Sequence, residues 1–331
     1  CFEEEEELMR AYIQEIQDPL NIKIAMEYCD THDMREMLEM LCNRAESKVN
    51  EEKDLEEYMT MYKINMERKD QQSEKYVSKE FFSKIIFRKN ETEEMQIFQE
   101  ILEVYVHYQE RDFYKVIAFL PKLKVKLDQS QNSYIQNSLN MRVNHLLQNV
   151  YLRSICDFKK VRELAHESLK TSIGKRFEAS AYLHLGDSHI HDKDLSQAIY
   201  YLEKSIVLYK EIGLDFAVNW MQNKIELVSI RRGRKLDQIH IDQNVAFNYI
   251  MNGEKEKGLA LLDKIDVTPD KLYIQGMATD NPDYFWKSLN GYLKRGDRLY
   301  GLLPVKELNR LGENEKMINM MYNNLKEVKY I

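Results

Sequence analysis

Glycine and proline are scarce: 11 and 5 in 331 residues, with no glycine before Gly174. A sheet protein of this length needs far more turn punctuation, so helices joined by short polar turns are the favoured class. Cysteine is rare too. Cys1, Cys29, Cys42 and Cys156 form neither a C-x-x-C pair nor a dense framework, and read as buried or idle reduced thiols of a cytosolic protein. No run approaches the roughly 18 apolar residues of a membrane span, and no signal peptide precedes Glu3 to Glu7, so a soluble chain without membrane contact is expected. Catalytic signatures are missing as well. There is no P-loop, G-x-G-x-x-G, G-x-S-x-G or H-E-x-x-H, and the glycine-free first half excludes a phosphate-cradling loop there. The expectation is a protein that is not an enzyme and needs no cofactor.

A basic surplus is also lacking. The net charge is −7 and the pI near 5.8, without the positive footprint of a domain that grips DNA by itself. The chain opens on Cys1 rather than Met, and an upstream module is expected to be missing. What is present is ample core material. Hydrophobic residues make up 44% and charged ones 31%, a globular composition.

One segment carries a repeat. Residues Ala181 to Leu208 fit the tetratricopeptide template, with Tyr182 at the bulky first position, the pair Leu185-Gly186, His189, then Ala198, Leu202 and Ser205. Gly186 and Ala198 let two helices of a hairpin approach closely, and Tyr182 and Leu202 fill the space beside them. Leu195, Ala198, Ile199, Leu202, Ile206 and Tyr209 form an i, i+3, i+4 stripe. Diverged copies flank it. Asp157-Phe158 leads to Val161, Ala165 and Ser168; Asp112-Phe113 leads to Val116, Leu120 and Leu123; Asp33-Met34 leads to Met37 and Leu41; and Ala246 and Tyr249 lead through Gly253 to Gly258 and Leu262. In each turn an acidic residue, Glu254 in the last, is placed to cap the following helix.

The expected fold is all-α, a right-handed superhelical solenoid of tetratricopeptide-like hairpins. Residues 1–92 are assigned to N-terminal hairpins and charged linker helices, with 45–92 read as long and solvated. Residues 93–312 are the binding repeats. Residues 313–331 form a C-terminal helix whose Met317, Met320, Met321, Leu325 and Val328 either cap the repeats or pair two chains. Glu3 to Glu7 read as the exposed first turn of a helix.

The chemistry on offer is that of binding. His184, His189 and His191 are read as repeat packing or groove lining before a metal site. The string Arg231-Arg232-Gly233-Arg234-Lys235 reads as a solvated inter-repeat loop before a nucleic-acid contact. First helices of successive hairpins carry a polar ladder: Arg142 with Asn149; Arg176, Ser180, His184 and Asp187 within about a quarter of the circumference; Asn219 with Asn223; and Gln243 with Asn244. Amides hold a peptide backbone by donating and accepting at once, Arg176 is suited to a terminal carboxylate, and Asp187 or Asp297 to a basic side chain.

Four segments resemble the arbitrium receptors (AimR) of temperate phages, and the likeness spans nearly the whole chain. They are Tyr134-Ile135-Gln136-Asn137 with Arg142-Val143; Arg176-Phe177 with Tyr182 through Ser188; Leu262-Asp263-Lys264; and Asp297 through Leu303-Pro304, Glu307-Leu308 and Gly312-Glu313-Asn314. The resemblance implies a cytoplasmic quorum-sensing regulator of lysis and lysogeny in a bacterial host. Its repeats would bind a short signalling peptide of about six residues, and it would pair as a homodimer through the C-terminal end. It would reach a DNA operator through an N-terminal helix-turn-helix, which is expected to lie upstream of Cys1. The family's peptide contacts map onto Asn149, Arg153, Arg176, His184, Asp187, Gln243 and Asp297, with Arg142 and Asn137 beside them. Some relatives carry a small hydroxyl or amide residue where this chain has His184, Asp187 and Arg153, departures that bear on which peptide is bound and not on where the groove lies. Two alternatives stay open: a Rap-type quorum-sensing phosphatase, with 45–92 in a helical bundle, and a tetratricopeptide scaffold for another protein's tail.

Overall fold

A computed structural model describes residues 2–70, 79–110, 112–129, 133–171, 173–234, 236 and 238–323. Cys1, Lys235, Leu325 and Val328 lie outside the described residues, as does the side chain of Met321. The described residues form eighteen α-helices and one π-helical turn, with no strand among them. None of these helices is long and apolar enough to cross a membrane. The chain divides into two compact units, Cys1–Leu146 with Lys170–Phe177, and Leu147–Leu169 with Glu178–Ile331.

Proline has a narrow use here. Asp18, Thr268 and Asn281 each precede a proline and cap the helix that it opens, accepting the backbone N–H of Asn21 at 3.0 Å, Lys271 at 3.1 Å and Asp283 at 3.0 Å. Proline suits that first position because its missing N–H would have no helical partner there.

The first unit contains α1 (Phe2–Glu15), α2 (Pro19–Thr31), α3 (Arg35–Lys48), α4 (Leu55–Asp70), α5 (Lys79–Ile86), α6 (Glu93–Gln109), α7 (Phe113–Gln129) and the start of α8 (Tyr134–Val150). Consecutive helices pack as neighbours, α2 on α3, α3 on α4, α6 on α7. The stripes read from sequence are core: Met37, Leu41, Val116, Leu120 and Leu123 are buried. The charged stretch is a correction. α4 is not a solvated helix, since Leu55, Tyr58, Met61 and Tyr62 are buried, and two of its polar residues, Asn65 and Arg68, are buried as well.

Those polar groups belong to one network. Glu27 and Asp30 of α2 lie inside the unit, and Arg142 reaches both, at 2.7 Å and 2.6 Å. Tyr62 donates to one oxygen of Glu27 at 2.5 Å and Ser138 donates to the other, while Asn65 donates to both oxygens of Asp30 at 2.9 and 2.8 Å. Burial pushes the Asp30 carboxyl up, but Arg142 and Lys69 outweigh it and hold the pKa down at about 2.

The second unit runs from the end of α8 through a π-helical turn (Tyr151–Ile155) to α9 (Phe158–Lys170), α10 (Lys175–Ser188, from Glu178), α11 (Ser196–Glu211) and α12 (Asp215–Arg231). It continues through α13 (Asp242–Met251), α14 (Lys255–Leu262), α15 (Pro269–Thr279), α16 (Pro282–Lys294), α17 (Arg298–Arg310) and α18 (Glu315–Asn323). The close approach expected of Gly186 is found. A Cβ there would stand 2.7 Å from Leu202 Cγ and 3.2 Å from the Ala198 carbonyl. Gly258 plays the same part in the next hairpin, where a Cβ would meet Ile250 Cγ1 at 2.5 Å.

The acidic caps divide. Asp157 and Asp112 accept from Lys160 N at 3.0 Å and Lys115 N at 3.4 Å. Asp33 and Glu254 do not cap. Asp33 has a left-handed backbone, φ 56°, and spends its carboxylate on Lys69 and Arg176, whereas Glu254 pairs with Lys257. At the C-terminal end, among the described side chains of α18, Ile318 is buried while Met317 and Met320 are 50% and 60% exposed.

Two measurements check this account. Gly186→Ala should lower stability by about 1–3 kcal/mol through overpacking. Gly301→Ala, whose Cβ would meet nothing closer than 3.5 Å, should instead raise it by roughly 0.5–1 kcal/mol; equal thermal midpoints for the two variants would refute the close-approach argument. Asp30 is the acid test. Its pKa falls from 3.8 to about 2 on folding, so its contribution is complete above pH 4 and is lost as pH falls toward 2. Asp30→Asn should flatten that limb of the stability–pH curve.

Candidate functional site

The nine residues singled out from sequence fall in both units. In the first, Asn137 is half-buried on α8, Arg142 is 4% exposed and committed to Glu27 and Asp30, and Arg176 pairs with Asp33 at 2.5 Å. Arg142 is therefore a core residue of its unit and not a lining one. The other six, Asn149, Arg153, His184, Asp187, Gln243 and Asp297, belong to the second unit.

There the structure shows a cavity of about 200 Å³ whose walls include Arg153, Lys224, Gln243, Asn244, Asp297 and Tyr300. The π-helical turn after α8 supplies Arg153, α12 supplies Lys224, and the start of α13 supplies Gln243 and Asn244. Asp297 comes from the cap of α17, where it accepts the Tyr300 N–H at 3.3 Å. Arg153 lies on a turn that leaves α-geometry and ends at Cys156 in the left-handed region, φ 58°, a conformation that non-glycine residues adopt only where the surroundings impose it.

Charge organises these walls. Arg153 Nη1 donates to Asp297 at 2.5 Å, and its Nη2 lies 3.8 Å from Asp187. Lys224 donates to both oxygens of Asp187, at 2.7 and 2.5 Å. Asp187 is 1% exposed and Lys224 7%. Burial pulls the Lys224 ammonium down from its usual range, with Asp187 opposing the shift and Arg153 adding to it. Its charge also sits over the Trp220 ring, 4.2 Å from the centroid, a cation–π contact. The sequence pattern suits Asp187 or Asp297 to a ligand's basic side chain. Lys224 and Arg153 take those places, because a buried carboxylate is held by whichever cation the fold brings to it.

The rest of the expected row turns inward. His184 Nδ1 donates to Gln148 Oε1 at 2.8 Å, and Ser180 and Tyr209 share a hydroxyl contact at 3.0 Å. Asn149 is half-buried and outside the cavity wall. His189 pairs with Asp192 at 2.7 Å, and His191 with the Leu299 carbonyl at 2.7 Å. The basic string also ties elements together: Arg231 reaches the Ile190 carbonyl and Arg232 reaches Ser196.

Two amides complete the site. Asn244 donates to Asn223 Oδ1 at 2.5 Å and to Glu226 at 2.9 Å, leaving its own Oδ1 buried without a partner among the described residues. Gln243 accepts from Thr268 at 3.3 Å. Asp270 accepts the Tyr292 hydroxyl at 2.6 Å, and burial holds its carboxyl above the usual range. Lys224, Trp220, Asp270, Tyr292, Arg295 and Tyr300 were missed by sequence reasoning. For Lys224 a signal existed: with Ala217, Met221 and Val228 it falls on the buried stripe of α12, where a charge needs a partner.

Comparisons with known proteins converge. The sequence pattern of a family described as AimR transcriptional regulator-like matches residues 5–310. The chain is similar to the AimR transcriptional regulator of Bacillus phage SPbeta, 25% identical over 318 residues, 90% of this chain and 78% of that protein. It is also similar to the AimR transcriptional regulator of Bacillus phage phi3T, 24% identical over 208 residues, 60% of this chain and 54% of that protein. Its fold matches the solved structure of selenomethionine phAimR with a TM-score of 0.80 at 19% identity, over 96% of this chain and 84% of that one. The structure of phAimR with its ligand matches with a TM-score of 0.69 at 18% identity, over 93% of each chain.

The buried pair makes a direct prediction. Lys224→Ala should cost on the order of 3–5 kcal/mol by denaturant unfolding, since it leaves Asp187 buried with only a distant arginine. Lys224→Met with Asp187→Leu should recover most of that loss. A double variant no more stable than the single one would contradict the pairing.

Proposed function

The chain belongs to the AimR transcriptional regulator-like family, and on that premise we propose that it is a peptide-responsive regulator of phage lysis and lysogeny, not an enzyme. A short signalling peptide of about six residues occupies the cavity of the second unit. The observation that carries this reading is the pairing of neutralised charges with amides that still have hydrogen-bonding capacity. Asn244 Oδ1 has no partner among the described residues, and it awaits a donor such as a peptide N–H; Gln243 stands beside it at the start of α13. Trp220 and Tyr300 supply flat apolar area of the kind that anchors small ligands. Binding shifts the population between states that differ in DNA binding, and the DNA contact is made by the helix-turn-helix that the family resemblance implies.

Affinity selection from a synthetic hexapeptide library, followed by calorimetric titration, tests the site. The selected peptide should bind wild type and lose about tenfold or more in affinity against Gln243→Ala or Trp220→Ala, the loss expected for one buried contact. Selection of no peptide, or one indifferent to both substitutions, would remove the cavity from consideration.

The pairing of two copies is a further part of the reading. Met317 and Met320 give α18 an exposed apolar face, the kind of patch that marks an interface. Light scattering should show a dimer for wild type and a monomer for Met317→Glu with Met320→Glu; an unchanged mass would place the interface elsewhere.

A further inference from the structure

We propose that Glu226 is a positioning residue for the second unit's cavity: it sets the direction of a two-amide relay through Asn244 to Asn223, and so makes the Asn223 side chain a donor to a ligand carbonyl. The inference rests on the reading of this cavity as a peptide site.

Glu226 stands on α12 one turn after Asn223 and is 6% exposed. Asn223 and Asn244 are at the cavity wall, and Glu226 lies behind them. Its Oε1 accepts the backbone N–H of His240 at 3.0 Å and the ring Nδ1–H at 2.6 Å. Its Oε2 accepts from Asn244 Nδ2 at 2.9 Å. No lysine or arginine among the described residues pairs with this carboxylate, whose one ion-pair contact is His240. Its partners are hydrogen-bond donors, and one of them leads to the cavity.

A carboxylate accepts and never donates, whereas a side-chain amide has one end of each kind. Glu226 therefore draws the nitrogen of Asn244 toward itself. The same nitrogen donates to Asn223 Oδ1 at 2.5 Å and lies 3.3 Å from the Asn223 carbonyl. A reversed Asn244 would set its oxygen against three acceptors. With Oδ1 of Asn223 engaged, the nitrogen is what that side chain has left, and it makes no hydrogen bond with a described residue. Asn223 is half-buried, so this nitrogen is the end of the relay that a ligand meets.

His240 is what makes the acid necessary. A glutamine at position 226 would give its oxygen to the His240 N–H and turn its nitrogen against that of Asn244. Two donors then face each other, and the relay reverses. Asn223 would present its oxygen to the cavity, where a ligand carbonyl would meet a second acceptor. Such networks act as a unit because each amide's direction is fixed by the one before it.

The test takes the hexapeptide selected from the synthetic library on wild type and titrates it against the full chain and its variants. Glu226→Gln, which keeps the shape of the side chain, should weaken binding by about tenfold, the effect of leaving a ligand acceptor unmet. Asn223→Ala should cause a similar loss, and adding Glu226→Gln to it should cost nothing further. Asn244→Ala breaks the relay at its middle and should also weaken binding, which keeps the test open if the glutamine variant does not fold. His240→Ala loosens the loop before α13 and leaves the relay intact, so it should keep the wild-type affinity. Wild-type affinity in Glu226→Gln or in Asn244→Ala overturns the inference. So do losses that multiply in the Glu226→Gln, Asn223→Ala double variant, or a His240→Ala loss equal to that of Glu226→Gln, which would assign Glu226 to the loop alone. These results leave peptide binding standing. Selection of no peptide overturns the peptide reading and this inference with it.

Discussion

A lysine ammonium as buried as that of Lys224 costs several kcal/mol unless a carboxylate meets it, and Asp187 meets it with both oxygens. That constraint orders the second unit. Asp187 stands on the helix whose Gly186 lets Leu202 approach within contact, so repeat packing delivers the acid to its place. Lys224 comes from α12 with Trp220 one turn before it on the same helix. Arg153 then finds Asp187 at a distance and turns most of its charge to Asp297. The cavity is the space these paired charges leave between them.

The first unit solves a similar problem with a different composition. Two acids one turn apart on α2, Glu27 and Asp30, are both buried. One arginine, one lysine, one side-chain amide and two hydroxyls share them. Removing any donor leaves a charge in a dry place, which accounts for the way α4 and α8 are held to α2. A tetratricopeptide reading by apolar stripes alone sees none of this.

The sequence was most legible where a single residue type has a single physical cause. Gly186, Ala198 and Leu202 announce a close hairpin because no larger residue fits, and the stripes at Val116, Leu120 and Leu123 or at Val161 and Ala165 are core as read. Legibility failed where side chains choose among partners. Asp33 looks like a cap by position yet has a left-handed backbone and serves Lys69 and Arg176. The polar row of Ser180, His184 and Asp187 has the periodicity of an exposed face, but all three are buried, since their partners lie 29 to 37 positions away. Of the binding residues proposed, Arg153, Gln243 and Asp297 do line the cavity. Tyr300 and Asp270 carried no local signal at all.

The π-helical turn of Tyr151–Ile155 has a consequence for inheritance. Its geometry is written in main-chain bonds, so a codon change at position 153 alters the side chain presented and spares the scaffold that presents it. Charge at the cavity wall is thus open to change by substitution at a single position, while the fold around it is held by other bonds.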